Sequence, residues 1–321
     1  MKRVLLVLAA LAAALLLAAC GSDDSSSDEG ASTSGGAESK QIQPIAEAKG
    51  KSLTIGSKNF AEQYILGEIY AQSLQAAGFT VKKQLDLGSE QIAFKALTGG
   101  QIDAYPEYTG TALTSFFDVK TDDVPRDPAQ AFAKVKTEAA KEGVTALPPT
   151  NFQNTFAVSM TKETAKKLGN PKTLSDLKGK DDGLKISGFP ECKQRTDCLL
   201  GLQQKYGLTG LEFVSSQGKA ADLDKGQADL AFLFSTDGEL ATDKYVALAD
   251  DQKLFPPYNV TLLTRDSTVK EMGPEGVKVI EQVQKPLTEG VMQELNSRVT
   301  LDKEKPEDVA KQYLQESGFI K

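Results

Sequence analysis

The chain has 321 residues, a net charge of −7, three cysteines and no histidine. Without histidine there is no Ser-His-Asp or Cys-His catalytic arrangement and no His-ligated metal. The charge is spread along the chain and no basic patch carries interleaved aromatics, which argues against a nucleic-acid partner.

Lys2 and Arg3 precede an almost unbroken apolar run from Val4 to Leu17. The run is short for a membrane span and reads as a signal peptide over residues 1–19. It ends in Leu17-Ala18-Ala19-Cys20-Gly21, which resembles the bacterial lipobox, where the cysteine becomes the lipidated first residue. Acyl chains on Cys20 would hold the protein on a membrane surface outside the cytoplasm. Gly21 to Ser39 is rich in Ser, Asp, Gly and Glu and has almost nothing to bury. Residues 20–49 are therefore expected to be the lipidated Cys and a disordered tether. From residue 50 onward there is chain enough for two domains.

That part alternates strand-like and helix-like segments. Leu53-Thr54-Ile55 is a short strand, and Asn59 with Glu62 is placed as a capping box for the helix that follows. Phe79–Leu85 reads as a strand and Ser89–Leu97 as a helix closed by Gly99-Gly100. Strands are expected at Leu184–Ile186, Leu211–Val214 and Leu230–Phe234, a helix at Cys198–Tyr206, and a mainly helical tail over Pro274–Ser317. The alternation implies an α/β architecture with mostly parallel pairing.

One internal echo stands out. Leu97-Thr98-Gly99-Gly100-Gln101-Ile102-Asp103 recurs as Leu223-Asp224-Lys225-Gly226-Gln227-Ala228-Asp229, and each Asp is followed by an aromatic, Tyr108 or Phe234, at the same offset. Open α/β sheets bind ligands outside the carboxyl ends of their strands. Two such strand ends, facing each other, would make a cleft.

Cys192 and Cys198 lie close in sequence in a chain read as exported, so a disulfide is expected, with a two-Cys metal site as the poorer alternative. The acid pairs Asp122-Asp123, Asp181-Asp182 and Asp250-Asp251 lack the spacing of a calcium loop and read as solvated turns. No metal or cofactor is expected. Phe60, Phe116 and Phe117 read as core, and Tyr64, Tyr70 and Tyr105 as packing residues.

Several stretches resemble the glycine betaine, choline and osmoprotectant-binding proteins of ABC importers. They are Gly56-Ser57-Lys58-Asn59-Phe60-Ala61-Glu62-Gln63-Tyr64-Ile65-Leu66-Gly67, Asp103-Ala104-Tyr105-Pro106-Glu107-Tyr108-Thr109-Gly110-Thr111, Asn154-Thr155-Phe156, Arg195 with Asp197, Ser235-Thr236-Asp237-Gly238, and Phe255-Pro256-Pro257-Tyr258-Asn259, in the family's order across nearly the whole mature chain. The resemblance implies a two-lobed, type II periplasmic-binding-protein-like fold with the ligand cleft between the lobes. It assigns residues 50–154 and 259–321 to lobe 1 and 155–258 to lobe 2. It implies a cage for a trimethylammonium head at Tyr108, Phe156, Phe234 and Tyr258, with Phe at two positions where the family pattern has Tyr. Lys58, Thr111 and Arg195 match positions that hold a carboxylate, and Gln63 and Asn154 match polar positions that touch an alcohol. The implied partner is an ABC permease. The alternatives are a same-fold protein for an unrelated solute, or a hydrolase acting on a choline-like compound.

The physics of the cage is independent of the resemblance. A quaternary ammonium has no N–H to donate, and its charge is spread over methyl groups. Aromatic faces attract it by about 0.5 to 2 kcal/mol each. Micromolar affinity needs roughly 8 kcal/mol net, so polar contacts at the other end are also required.

Overall fold

Short apolar strands and helices alternate along residues 40–216 and 220–321, the described residues of the computed structural model. The expected signal peptide, Cys20 and the stretch to Ser39 lie outside them. Residues 40–49 do not continue a tether. Ile42 is buried and its N–H donates to the Phe319 carbonyl at 2.9 Å, while Ile45 N–H donates to Ala77 at 2.8 Å. Ile42, Ile45 and Ala48 recur every third residue, and that apolar spacing lets the segment pack on the body.

The first sheet is built from β1 (Ser52–Gly56), β2 (Thr80–Gln84), β3 (Ala104–Tyr108) and β4 (Val144–Ala146), with α1 (Ala61–Ala76), α2 (Glu90–Thr98), α3 (Thr109–Ser115) and α4 (Pro128–Lys141) between them. The second comes from β5 (Phe156–Thr161), β6 (Lys185–Gly188), β7 (Glu212–Ser215), β8 (Leu230–Phe234) and β9 (Tyr245–Ala247), with α5 (Lys162–Lys167), α6 (Leu199–Tyr206) and α7 (Ala220–Asp224). The chain then returns to the first sheet through β10 (Val260–Arg265) and finishes in α8 (Asp266–Gln284), α9 (Glu289–Thr300) and α10 (Pro306–Glu316). Helix α8 is broken at Gly273, φ +65°, so the helix expected from Pro274 is its second half. Each sheet with its helices is one lobe.

The sheet orders are β2-β1-β3-β10-β4 and β7-β6-β8-β5-β9. In each, the β1–β2 and β1–β3 pairs, or β6–β7 and β6–β8, are parallel, while β10 and β5 run antiparallel to both neighbours. The expectation of mostly parallel pairing is thus corrected to an even mixture. The cause is the double crossing: β5 and β10 each enter their sheet from the other lobe and run against the strands already there.

The sequence echo has a structural counterpart. Asp103 donates its N–H to Thr54 O at 2.8 Å and accepts from Thr54 N–H through Oδ2 at 2.8 Å. Asp229 makes the same reciprocal pair with Lys185, at 2.9 and 2.9 Å. Each Asp clamps the start of its strand, β3 or β8, to the parallel neighbour, β1 or β6. Tyr108 and Phe234 close β3 and β8 at matching places.

Helix α1 is buried on nearly every side, with Ile65, Leu66, Ile69, Tyr70 and Leu74 fully covered by the sheet and the C-terminal helices. Its expected cap is absent: the N-cap is Phe60, without a side-chain hydrogen bond, and Glu62 turns away to other partners. Two of the acid pairs are not simply solvated. Asp181 is buried and accepts from the N–H groups of Gly179 and Gly210 at 3.2 and 2.8 Å. Asp250 accepts from Tyr206 OH and from the N–H groups of Leu254 and Phe255, both at 2.8 Å, and so fixes the loop that leads to Tyr258.

Candidate functional site

A cavity of about 620 Å³ opens between the lobes, with its walls at the carboxyl ends of β1, β3 and β8 and along the two crossovers. Of the expected site residues, Tyr108, Phe156, Phe234 and Tyr258 line it, as do Lys58, Thr111, Asn154 and Arg195. Gln63 does not. It is fully buried, and its Oε1 accepts the Lys58 N–H at 3.1 Å, so it orients the loop rather than facing the cavity.

The lobe 1 wall is built on Tyr108. Its ring stacks on Phe60 with centroids 6.2 Å apart and planes at 19°. Phe60 follows the carboxyl end of β1, is 39% exposed and lines the cavity, which corrects its reading as core. Tyr108 OH donates to Glu62 Oε1 at 2.7 Å. Burial, and then the Glu62 carboxylate, push the phenol well above its usual range, so it stays a protonated donor.

Lys58 is not a free point charge. Its ammonium is ion-paired with Glu107, with both side chains buried. Glu107 also accepts Tyr108 N–H at 2.7 Å and Tyr105 OH at 3.0 Å. The Lys58 Nζ stands 4.6 Å from the Tyr108 ring centroid.

Lobe 2 presents a phenyl stack. Phe156 lies between Phe234, centroids 5.1 Å apart at 22°, and Phe189, 6.0 Å apart at 24°. The Phe156–Phe234 contact is set by register, because these residues are direct partners across the β5–β8 pair. The Arg195 guanidinium lies 5.7 and 5.5 Å from the Phe156 and Phe189 centroids. It is held by a two-point pair with Asp197, Nε to Oδ1 at 2.7 Å and Nη2 to Oδ2 at 2.5 Å. Cys192 and Cys198 flank this arginine and form a disulfide with Cα atoms 5.3 Å apart.

Tyr258 sits at the second crossover. Its ring packs where a Cβ on Gly110 would come within 2.6 Å, so the glycine in the first turn of α3 makes room for it. Burial and Asp197 raise its pKa to about 12, against the opposing effect of Arg195.

Residues that sequence reasoning missed complete the site. Phe189 stands just past the end of β6, and the strand-end rule that found Tyr108 and Phe234 also points to it. Glu62 has the spacing of a capping residue but takes other partners. It is 3% exposed; Oε1 accepts from Tyr108 OH and from Asn154 Nδ2 at 3.0 Å, and Oε2 from Asn296 Nδ2 at 2.9 Å. Asn296 had no local signal, being one polar residue inside α9. It also donates to Thr236 O of lobe 2 at 2.8 Å, and Gln293 donates to Ser235 O at 2.7 Å. Gly238 lets α9 approach so closely that a Cβ there would lie 2.5 Å from Ser297 N. Helix α9 thus ties the lobes together beside the cavity.

The charged residues lining the cavity are Lys58 and Arg195 against Glu62, Glu90, Asp237 and Glu239. Both cations already hold a carboxylate partner, so the cavity is acidic in balance. Asn154 Oδ1, Asn296 Oδ1 and Thr236 Oγ1 are buried without a hydrogen-bond partner. Among the described residues no cluster of His, Cys, Asp or Glu could hold a metal, and no helix is long and apolar enough to cross a membrane.

A family model for the substrate-binding domain of ABC-type glycine betaine transport systems matches residues 51–316. The glycine-betaine-binding protein of Pseudomonas aeruginosa is 32% identical over 85% of this chain and 90% of its own length. The ergothioneine transport permease/ergothioneine binding protein EgtU of Helicobacter pylori is 28% identical over 88% of this chain, which spans 51% of that protein. Among solved structures, apo YehZ from Escherichia coli is similar with a TM-score of 0.73 at 25% identity, covering 83% of this chain and 99% of that one. A glycine betaine/carnitine/choline ABC transporter structure gives 0.74 at 25% identity, covering 82% and 98%.

Proposed function

The chain belongs to the family of substrate-binding domains of ABC-type glycine betaine transport systems, and from that premise we propose that its cavity captures a small quaternary-ammonium osmolyte such as glycine betaine, choline or carnitine for an importer's permease. The family is one of solute-binding proteins, not enzymes, so the hydrolase alternative falls.

The observation that supports the ligand class is a pair of aromatic walls facing an acidic cavity, Tyr108 with Phe60 on one lobe and Phe156, Phe189 and Phe234 on the other. Such walls attract a cation that cannot hydrogen-bond, at about 0.5 to 2 kcal/mol per face. Phenyl in place of phenol keeps the face and gives up some electron density. Closure of the lobes on the ligand is the motion that this architecture provides.

A second reading is favoured by the near-parallel phenyl rings at 22° and 24°, which suit a flat group. A betaine carrying an aromatic ring, such as the ergothioneine named for EgtU, fits that wall. Calorimetric titration with glycine betaine, choline, carnitine and ergothioneine tests both. Binding is expected for at least one of them with a Kd in the micromolar range or tighter. Silence from all four, with binding of a neutral or anionic solute, would sink the proposal.

We also propose that Cys20 carries a lipid that anchors the protein outside the cytoplasm, supported by the lipobox-like Leu17–Gly21 stretch. Cys20→Ala is expected to release the protein from washed membranes. Full retention of the variant, without change in mass, would count against an anchor.

A further inference from the structure

We propose that Glu62 is the charge-specificity residue of the cavity: its carboxylate supplies the fixed negative charge that selects a cationic ligand, directly and through the Tyr108 hydroxyl. The inference rests on the quaternary-ammonium reading and deepens it.

Three buried carboxylates, Glu62, Glu107 and Asp197, stand behind the aromatic walls and differ in one respect. Glu107 is neutralised by Lys58 and Asp197 by Arg195. Glu62 is as buried as they are, at 3% exposure, yet its partners among the described residues, Tyr108 OH, Asn154 Nδ2 and Asn296 Nδ2, are all neutral. These three donors solvate the carboxylate without cancelling its charge. A buried charge so held keeps much of its field, because little water screens it.

Tyr108 carries part of that field to the ligand. A phenol that donates to a carboxylate at 2.7 Å is polarised, and its ring face becomes more electron-rich. This is the lobe 1 face that the ligand cation would touch. The remaining donors reach Glu62 from elsewhere: Asn154 from the first crossover and Asn296 from α9, which also grips Thr236 O of lobe 2. The charge is therefore held by lobe 1 and the first crossover, and Asn296, through Thr236 O, joins it to lobe 2 beside the cavity.

The test separates charge from scaffolding. Choline and its uncharged carbon isostere, 3,3-dimethylbutan-1-ol, are titrated into the full protein, and the ratio of their affinities is read for wild type, Glu62→Gln and Glu62→Asp. Wild type is expected to favour choline by about a hundredfold. Glu62→Gln should shrink that ratio by about tenfold or more, chiefly by weakening choline, and Glu62→Asp should restore most of it. If Glu62→Gln weakens both compounds alike and leaves the ratio intact, Glu62 is scaffolding and the inference is overturned. If wild type shows no preference for the cation, the reading of function fails, and this inference with it. Should Glu62→Gln fail to fold, Tyr108→Phe decides: it keeps the ring, removes the link, and is expected to lower the ratio about threefold. An unchanged ratio there overturns the proposal.

Discussion

Phe156→Ala is expected to weaken quaternary-ammonium binding at least about tenfold and to destabilise the protein by about 3 to 5 kcal/mol. Phe156 is 6% exposed and touches four other phenyl rings, Phe189, Phe232, Phe234 and Phe255, with centroids 6.0, 6.0, 5.1 and 5.7 Å away. Removing it opens a hole in the lobe 2 core and takes away the ring on which Phe189, Phe234 and Arg195 rest. Phe234 is only half-buried, at the end of β8. Phe234→Ala should therefore lose affinity with a smaller loss of stability, and Phe234→Tyr should be tolerated. Calorimetry and thermal unfolding on the three variants check this. Wild-type affinity in Phe156→Ala would show that the lobe 2 stack is not a ligand wall.

Glu107→Gln is expected to cost about 3 to 5 kcal/mol of stability, because it leaves the buried Lys58 ammonium without its counter-ion. Lys58→Met should cost a similar amount by stranding Glu107, which is fully buried. The double variant should recover part of the loss, since it removes both charges together. Denaturant titration of the four proteins measures the coupling. Independent, small losses in the single variants would mean that Lys58 is free to meet a ligand carboxylate, as its motif position suggests. In the structure Lys58 lines the cavity beside Tyr108 with its charge balanced by Glu107.

Much of this was legible in the sequence because it depends on short-range chemistry. Leu230–Phe234 reads as a strand, and β8 has those bounds, since an unbroken apolar run in front of turn residues leaves little choice. The echo of Gly-Gln-x-Asp pointed to a matching pair of strands ending in Tyr108 and Phe234, and it was legible because the Asp clamp needs only its own strand and one neighbour. Long-range partners were not legible. Glu62 had the spacing of a capping residue, and nothing local says that Asn296, 234 residues later, would claim it. Lys58 and Arg195 were readable as cations, but not as cations already paired. The antiparallel strands were missed for the same reason: their direction is set by the route between lobes, not by their composition.

That route fixes the order in which the lobes can be completed. Every strand of lobe 2 comes from one run, Phe156 to Ala247. Lobe 1 lacks β10, which lies between β3 and β4, until Arg265, and lacks α10, which covers α1, until Glu316. A chain delivered N-terminus first therefore holds all the strands of lobe 2 while the inner edges of β3 and β4 and the apolar face of α1 are still waiting for partners. The half of the molecule that is made first is the half that is finished last.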